Sequence, residues 1–284
     1  MVLTGLSNRK LNLGFRSSPY KIDSELFIEE GHGREAGVHP PHAGDAIRCI
    51  CAYDGGVNLL SPSGHQLEIE VVFDLVCPWC FLGTRRLRRA LDARGDILAQ
   101  IRWRPFLLNP DLGMGGAARQ DYMARKFGGE ERARRLHATM ADLGRAEGIE
   151  FHFERIRRVP SSIDGHRLVR FAEQHGLAEL MVDALFTAHF CEGADIGHSG
   201  TLASIAAQQG LDYRAAQRFL ASGLETDAIH AENLRAHRLG INGVPCFVVN
   251  GRQGVSAGHA IAGAQEPEVL ERLMDVAIAE AGEF

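Results

Sequence analysis

The tightest constraint on this chain lies between residues 67 and 93, where two hydrophobic periods meet across a pair of cysteines. Leu67-Glu-Ile-Glu-Val-Val-Phe-Asp-Leu75 starts as an alternation and becomes continuously apolar, as a strand does when it enters a buried sheet. Over residues 81–93 the spacing turns helical: Leu82, Leu87, Ala90 and Leu91 share a stripe, while Arg85, Arg86, Arg88 and Arg89 take the other faces. Cys77-Pro78-Trp79-Cys80 occupies the turn between them. A second strand over residues 99–107, before the turn-rich Asn109-Pro-Asp-Leu-Gly, completes a βαβ unit.

That position suits thiol chemistry. The thiolate is the nucleophile, so a working cysteine needs its pKa brought down from about 8.5. At a helix mouth, unpaired backbone N–H groups and the positive end of the helix dipole supply this for Cys77. Pro78 fits the first helical position, where its missing N–H has no intrahelical use. Cys80, three residues on, returns to the same face and can resolve a mixed disulfide on Cys77. The competing reading is half of a zinc site, whose second pair would come from Cys49-Ile-Cys51 with His39 and His42. The strand-turn-helix context favours redox over metal, and no metal is expected. Trp79 reads either as a surface aromatic or as an apolar cover that docks a partner beside the sulfurs. Asp74 reads either as a turn cap or as proton acceptor for the buried thiol. The arginine run at 85–89 reads as a solvated face, and Cys191 and Cys246 as small buried hydrophobes.

The remaining segments place this unit in a larger α/β domain. Residues 1–66 carry scattered Gly, Pro, Ser and His with little periodicity, and are expected to be a disordered extension; the apolar piece at 46–53 cannot bury a core alone. An all-helical insertion is expected over about residues 115–224, with helices at 120–127, 130–147, 163–175, 179–190, 199–209 and 213–221. A helix at 226–239, strands at 244–251 and 257–262, and a helix at 266–281 close the chain. Six cysteines in 284 residues are too few and too scattered for a disulfide scaffold. A formal net charge of -5 offers no basic field for nucleic acid. No window reaches the ~20 apolar residues of a membrane span, and the first thirty residues lack the apolar core of a secretory signal. The expected compartment is therefore the cytoplasm, with no membrane partner.

Several further stretches, in order, bring a family into view: Asp74-Leu-Val-Cys-Pro-Trp-Cys-Phe-Leu-Gly83, Trp103-Arg-Pro-Phe-Leu-Leu-Asn-Pro110, Arg125-Lys-Phe-Gly128, His166-Arg-Leu168, the segment from Leu185 to Gly197, Gly243-Val-Pro245 and Gly263-Ala-Gln265. From about Leu67 to the C-terminus the chain resembles the DsbA-like thioredoxin superfamily, most closely its FrnE-like branch. The resemblance implies a thioredoxin-like fold in which a helical insertion separates βαβ and ββα halves. It implies that Cys77 is the nucleophile, Cys80 the resolving thiol and Pro245 a cis-proline facing the pair. The backbone of Val244 would then pair with a substrate chain, and Cys246 would point to the opposite side of its strand. Two features depart from the pattern: residues 251–265 make a longer late hairpin, and no cysteine follows Cys246.

The expected function is a cytoplasmic thiol-disulfide oxidoreductase acting on protein or small-molecule disulfides, with Pro78, Trp79, Val244 and Pro245 lining the substrate site. No bound cofactor is expected; the redox-active disulfide does the chemistry, with glutathione as a candidate co-substrate. The alternative is a glutathione-dependent isomerase or transferase, since relatives resembling 2-hydroxychromene-2-carboxylate isomerase and kappa-class glutathione transferase share the fold but place serine where Cys77 stands. A third reading is a holdase whose insertion grips unfolded chains.

Overall fold

The structure is a computed structural model that describes residues 21–22, 64–127, 130–251 and 258–281. Its centre is strand β2 (His65–Phe73). From Leu67 on, β2 is buried at every residue but Glu68, because it lies inside the sheet rather than at an edge. The sheet runs β1 (Lys21–Ile22), β7 (His259–Ala262), β6 (Cys246–Gly251), β2, β3 (Ile97–Pro105). β2 pairs parallel with β3, as a βαβ crossover requires, and antiparallel with β6. β6 and β7 pair antiparallel, Val248 facing Ala260.

Helix α1 (Pro78–Asp92) is the crossover between β2 and β3. It packs with α9 (Pro267–Ala281) on the sheet face formed by Ile69, Val71, Phe73, Phe247 and Val249. The opposite face carries Val72, Cys246, Val248 and Ala260, covered by Ala236 of α8 (Thr226–Arg238). The pleat thus sends Val71 and Val72 into different cores.

Between β3 and α8 come α2 (Arg119–Phe127), α3 (Glu130–Ala146), α4 (Ile163–Glu173), α5 (Ala178–Thr187), α6 (Ser199–Gln208) and α7 (Tyr213–Ala221). This is the expected insertion, with one correction to its all-helical reading. β4 (Ala117–Ala118) and β5 (Arg158–Val159) pair antiparallel inside it, too short to leave a period-two trace. α5 also runs on into a π-turn at Ala188–Glu192, which closes on Gly193 with φ +76. The insertion shares one core with the sheet: Phe81 of α1 stacks on Phe186 of α5 at 5.1 Å, and Phe73 of β2 meets Phe186 edge-on at 6.1 Å.

Within the segment read as an extension, Lys21–Ile22 adds parallel to the free edge of β7, and β2 opens at His65 rather than Leu67. Residues 1–20 and 23–63, with the 46–53 piece and the Cys49, Cys51, His39 and His42 group, lie outside the described residues, as do 252–257 of the late hairpin.

Arg167 of α4 is the largest fully buried side chain, and it knits the insertion to its exit. Its guanidinium bonds the carbonyls of Phe219, Leu220 and Leu224 at 2.9, 3.1 and 2.6 Å, and Asp164 at 2.5 Å. Arg167→Met strands these acceptors and a buried carboxylate. It should lower unfolding free energy by about 3 kcal/mol, read as an earlier urea midpoint.

Candidate active site

β2 ends at Phe73, and the next four residues make the turn that sets the dithiol. Asp74 is fully buried. Its carbonyl accepts from Cys77 N at 3.1 Å, closing the turn, and its carboxylate accepts from Val76 N at 3.3 Å. The other carboxylate oxygen accepts from Leu108 N at 2.7 Å, so the turn is anchored to the chain leaving β3. Asp74 is therefore an internal cap, with no surface role.

Cys77 is the N-cap of α1, in extended backbone geometry (φ -102, ψ 111), with Pro78 at the first helical position. Its carbonyl takes the first helical bonds, from Cys80 N at 3.0 Å and Phe81 N at 3.3 Å. No acidic residue occupies the first turn of α1. Cys77 keeps 4% of its surface, Cys80 none, and Trp79 beside them 42%. Both thiols are free. Cys80 is held well above the ordinary thiol range, first by burial, then by its hydrogen bond to Cys77 and that sulfur's charge. A hydrogen bond from the Asp74 backbone opposes the shift, and the charge of Asp74 adds to it.

The late half of the chain arrives from the other side. The Val244–Pro245 peptide is cis, and Cys77 Sγ lies 3.7 Å from the Val244 carbonyl oxygen. Pro245 is buried, and its carbonyl accepts from Gly263 N at 2.7 Å. Gly83 of α1 makes this approach possible: a Cβ there would sit 2.9 Å from Pro245 Cγ and 3.1 Å from the Phe247 ring. Cys246, one residue further, lies in the opposite core, and burial lifts its thiol to about 12. Cys191 differs from its expected burial: it is partly exposed on the π-turn.

The arginine run is a solvated face only in part: Arg89 is exposed and Arg85 and Arg88 are half-buried, but Arg86 is enclosed. Arg86 is buried, bonding Ala264 O at 2.7 Å, Glu147 at 3.2 Å and Glu266 at 2.7 Å. Arg85 pairs with Asp183, Arg88 with Glu179 and Arg89 with Glu147, each at 2.9 Å. These partners belong to the insertion and the loop before α9, which pack along the side of α1 that periodicity assigned to solvent. A residue left unassigned by periodicity also lies at the site: His166 of α4 is 1% exposed, with Nε2 3.5 Å from Asp74 Oδ1. Its signal in the sequence is a polar residue on the stripe that also carries Ile163 and Val169. Among the described residues, no group of three or more His, Cys, Asp or Glu could hold a metal ion. No helix there is long and apolar enough to cross a membrane.

With this geometry in place, comparison with known proteins decides the family. The model of the DsbA-like thioredoxin domain matches residues 68–275. The chain belongs to that family. A probable DsbA oxidoreductase from Streptomyces coelicolor superposes with a TM-score of 0.68 and 27% identity, over 77% of this chain and 92% of that one. The cytosolic disulfide reductase DsbM from Pseudomonas aeruginosa superposes at 0.56 and 19% identity, over 75% and 100%. A 2-hydroxychromene-2-carboxylate isomerase superposes at 0.55 and 17% identity, over 75% and 97%. The last two establish likeness of fold. The DsbA-like fold expected from the motifs is thus the fold observed.

Two outcomes follow from the thiol environments. In the native, reduced chain at about pH 8, iodoacetamide should modify Cys80 and Cys246 far more slowly than after unfolding, read by peptide mass spectrometry. Between the ordinary thiol value of 9.0 and about 12, the folded chain keeps a proton on Cys246 that the unfolded chain has lost. Stability should therefore fall as pH rises through that window, by up to about 1.4 kcal/mol per unit from this group. Urea titrations at about pH 8 and about pH 10 should show a smaller loss for Cys246→Ala.

Proposed function

We propose that the chain is a cytoplasmic, FrnE-like dithiol-disulfide oxidoreductase whose redox centre is Cys77 and Cys80. The observation that carries this reading is the capping position of Cys77, its sulfur 3.7 Å from the Val244 carbonyl and a hydrogen-bonded second thiol behind it. In the reductive direction, the Cys77 thiolate attacks a substrate disulfide, forms a mixed disulfide and expels one substrate thiolate, which takes a proton from solvent. Cys80 then gives up its proton and attacks Cys77 Sγ. The internal disulfide forms and the second substrate thiol leaves, so two electrons pass from the dithiol to the substrate.

The substrate site on this reading comprises Pro78 and the exposed Trp79 ring on one side and Val244 and Pro245 on the other. The Val244 backbone offers an extended chain a pairing edge next to the nucleophile. Asp74 serves as proton acceptor for Cys80. No bound cofactor is required, because the dithiol carries the electrons; glutathione is the small thiol proposed to recharge it, and the substrate is a protein or small-molecule disulfide. A glutathione-dependent isomerisation is the second reading, supported by the fold shared with 2-hydroxychromene-2-carboxylate isomerase.

One variant separates them. Cys80→Ser should abolish turnover of dithiol exchange and accumulate mixed disulfides on Cys77, visible by mass spectrometry of trapped adducts, whereas isomerase activity would survive it. Cys77→Ser should abolish exchange outright. Absence of a Cys77–Cys80 disulfide at every ratio of reduced to oxidised glutathione would refute the redox reading.

A further inference from the structure

The proton on Cys80 must leave before that sulfur can attack, yet neither Cys80 nor Asp74 has exposed surface. Asp74 is the carboxylate whose charge acts on the Cys80 thiol, and its backbone bonds the same sulfur. Its own oxygens are partly committed, to Leu108 N at 2.7 Å and Val76 N at 3.3 Å. The remaining polar approach is His166 Nε2, 3.5 Å from Oδ1.

This imidazole has no evident structural duty. Its ring lies edge-on to Phe73 at 5.0 Å in an apolar layer, and Nε2 is a buried atom without a hydrogen-bond partner. Leaving such a nitrogen unmatched is unfavourable, and an apolar residue would pack there without that cost. Leu75 on the active-site turn lies so close to α4 that a Cβ on Gly165 would meet its Cδ1 at 2.6 Å, which holds the His166 turn of α4 beside the dithiol. The nitrogen is therefore kept, unpaired and near, beside the carboxylate that acts on the resolving thiol.

We propose that His166 is a positioning residue for the resolving step: with Nε2 closing on Asp74 Oδ1, carboxylate and imidazole act as one pair that takes up the Cys80 proton. The inference rests on the dithiol reading above. In the step, the Cys80 S–H bond breaks and its proton passes to the pair. The electron pair left on sulfur forms the bond to Cys77 Sγ. The bond between Cys77 and the substrate sulfur breaks, and the departing thiolate leaves with those electrons and is protonated by solvent. The pair returns its proton to solvent before the next cycle. One negative charge sits on the pair beforehand and on Cys80 during attack, so buried charge is moved rather than created. In a site that penalises every uncompensated charge, this is the route by which a deeply buried thiolate becomes attainable.

Other titratable groups around the pair are differently engaged. Cys77 and Cys80 face it from α1 as the reacting sulfurs. From the π-turn after α5, His189 also feels Asp74, with Asp195 and Arg119 beyond it. His189 Nδ1 lies 3.2 Å from Ala194 O, and burial holds its pKa down to about 4, so it stays neutral near pH 7. On α4 itself, Asp164 and Arg167 are bonded to each other.

The test times the two chemical steps separately. In a Cys80→Ser background, which reports only the first attack, His166→Gln should leave mixed-disulfide formation with oxidised glutathione within about twofold of its parent. With Cys80 present, release of glutathione from that mixed disulfide should slow by at least about tenfold at neutral pH. Its rate should also climb with pH more steeply than in the parent, as hydroxide replaces the pair. Asp74→Asn should slow release likewise, and adding His166→Gln to it should cost less than a further twofold or so. Equal slowing of both steps, additive effects or an unaltered pH profile would overturn the proposal. If His166→Gln does not fold, the imidazole ¹⁵N shifts of His166 decide: they should differ between the parent and Asp74→Asn, and identical shifts overturn it. Failure of Cys77 to form any mixed disulfide in Cys80→Ser would count against the dithiol reading instead.

Discussion

A single buried carboxylate holds the geometry together. Asp74 stands where β2 stops, and three backbone N–H groups converge on it: Cys77 on its carbonyl, Val76 and Leu108 on its carboxylate. The first two bend the chain from extended to helical, and the third ties that bend to the exit of β3. An acid so enclosed is costly unless its oxygens are engaged, and here the engagement itself does the positioning. The consequence is a cysteine placed at a helix mouth by hydrogen bonds rather than by its own side chain, which makes no capping bond and so stays available.

The helix behind that cysteine is gripped along its length. Glu147, with a side chain 4% exposed, receives both Arg86 and Arg89, and Arg86 continues to the Ala264 carbonyl. The neighbouring Gly263 N–H holds the Pro245 carbonyl. One guanidinium thus links the dithiol helix, the end of α3 and the loop that brings Val244 to the sulfur. Phe81 fills the gap on the insertion side, stacked on Phe186 and edge-on to Phe151. Two halves of a chain separated by more than a hundred residues then meet within a few ångströms, as a site built on rigid elements requires.

Much of this was legible because the determining signals are local. The shift of period between Leu75 and Phe81 announced a strand, a turn and a helix, and the insertion helices were readable from apolar spacing to within two residues at each end, save that α5 gives way to the π-turn after Thr187 rather than running to Phe190. What escaped depends on contacts distant in sequence. Arg86 reads as solvent-facing from the stripe of α1 alone, since nothing local reveals that Glu147 and Ala264 close over it. β1 is two residues long and has meaning only against the open edge of β7. Asp74 and His166, 3.5 Å apart in space, are far apart in the chain, and a lone histidine on a helix stripe does not announce its neighbour. The motifs placed Asp74 and the dithiol together, while the side chains that enclose them were visible only once the insertion had been docked.

The thiols show how position sets the environment of each cysteine in such a domain. Cys77, Cys80 and Cys246 are all buried, and burial alone would make each an inert hydrophobe. Cys246 is that: adjacent to Pro245, it is turned by the pleat into the far core, where desolvation is the cause of its raised pKa. Cys80 is equally enclosed, and burial is likewise the first cause of its raised pKa, but Cys77, the Asp74 backbone and the Asp74 charge also act on its sulfur. Cys77 alone caps a helix. Three similar residues thus meet three environments, set by the direction of one strand, the start of one helix and the reach of one carboxylate.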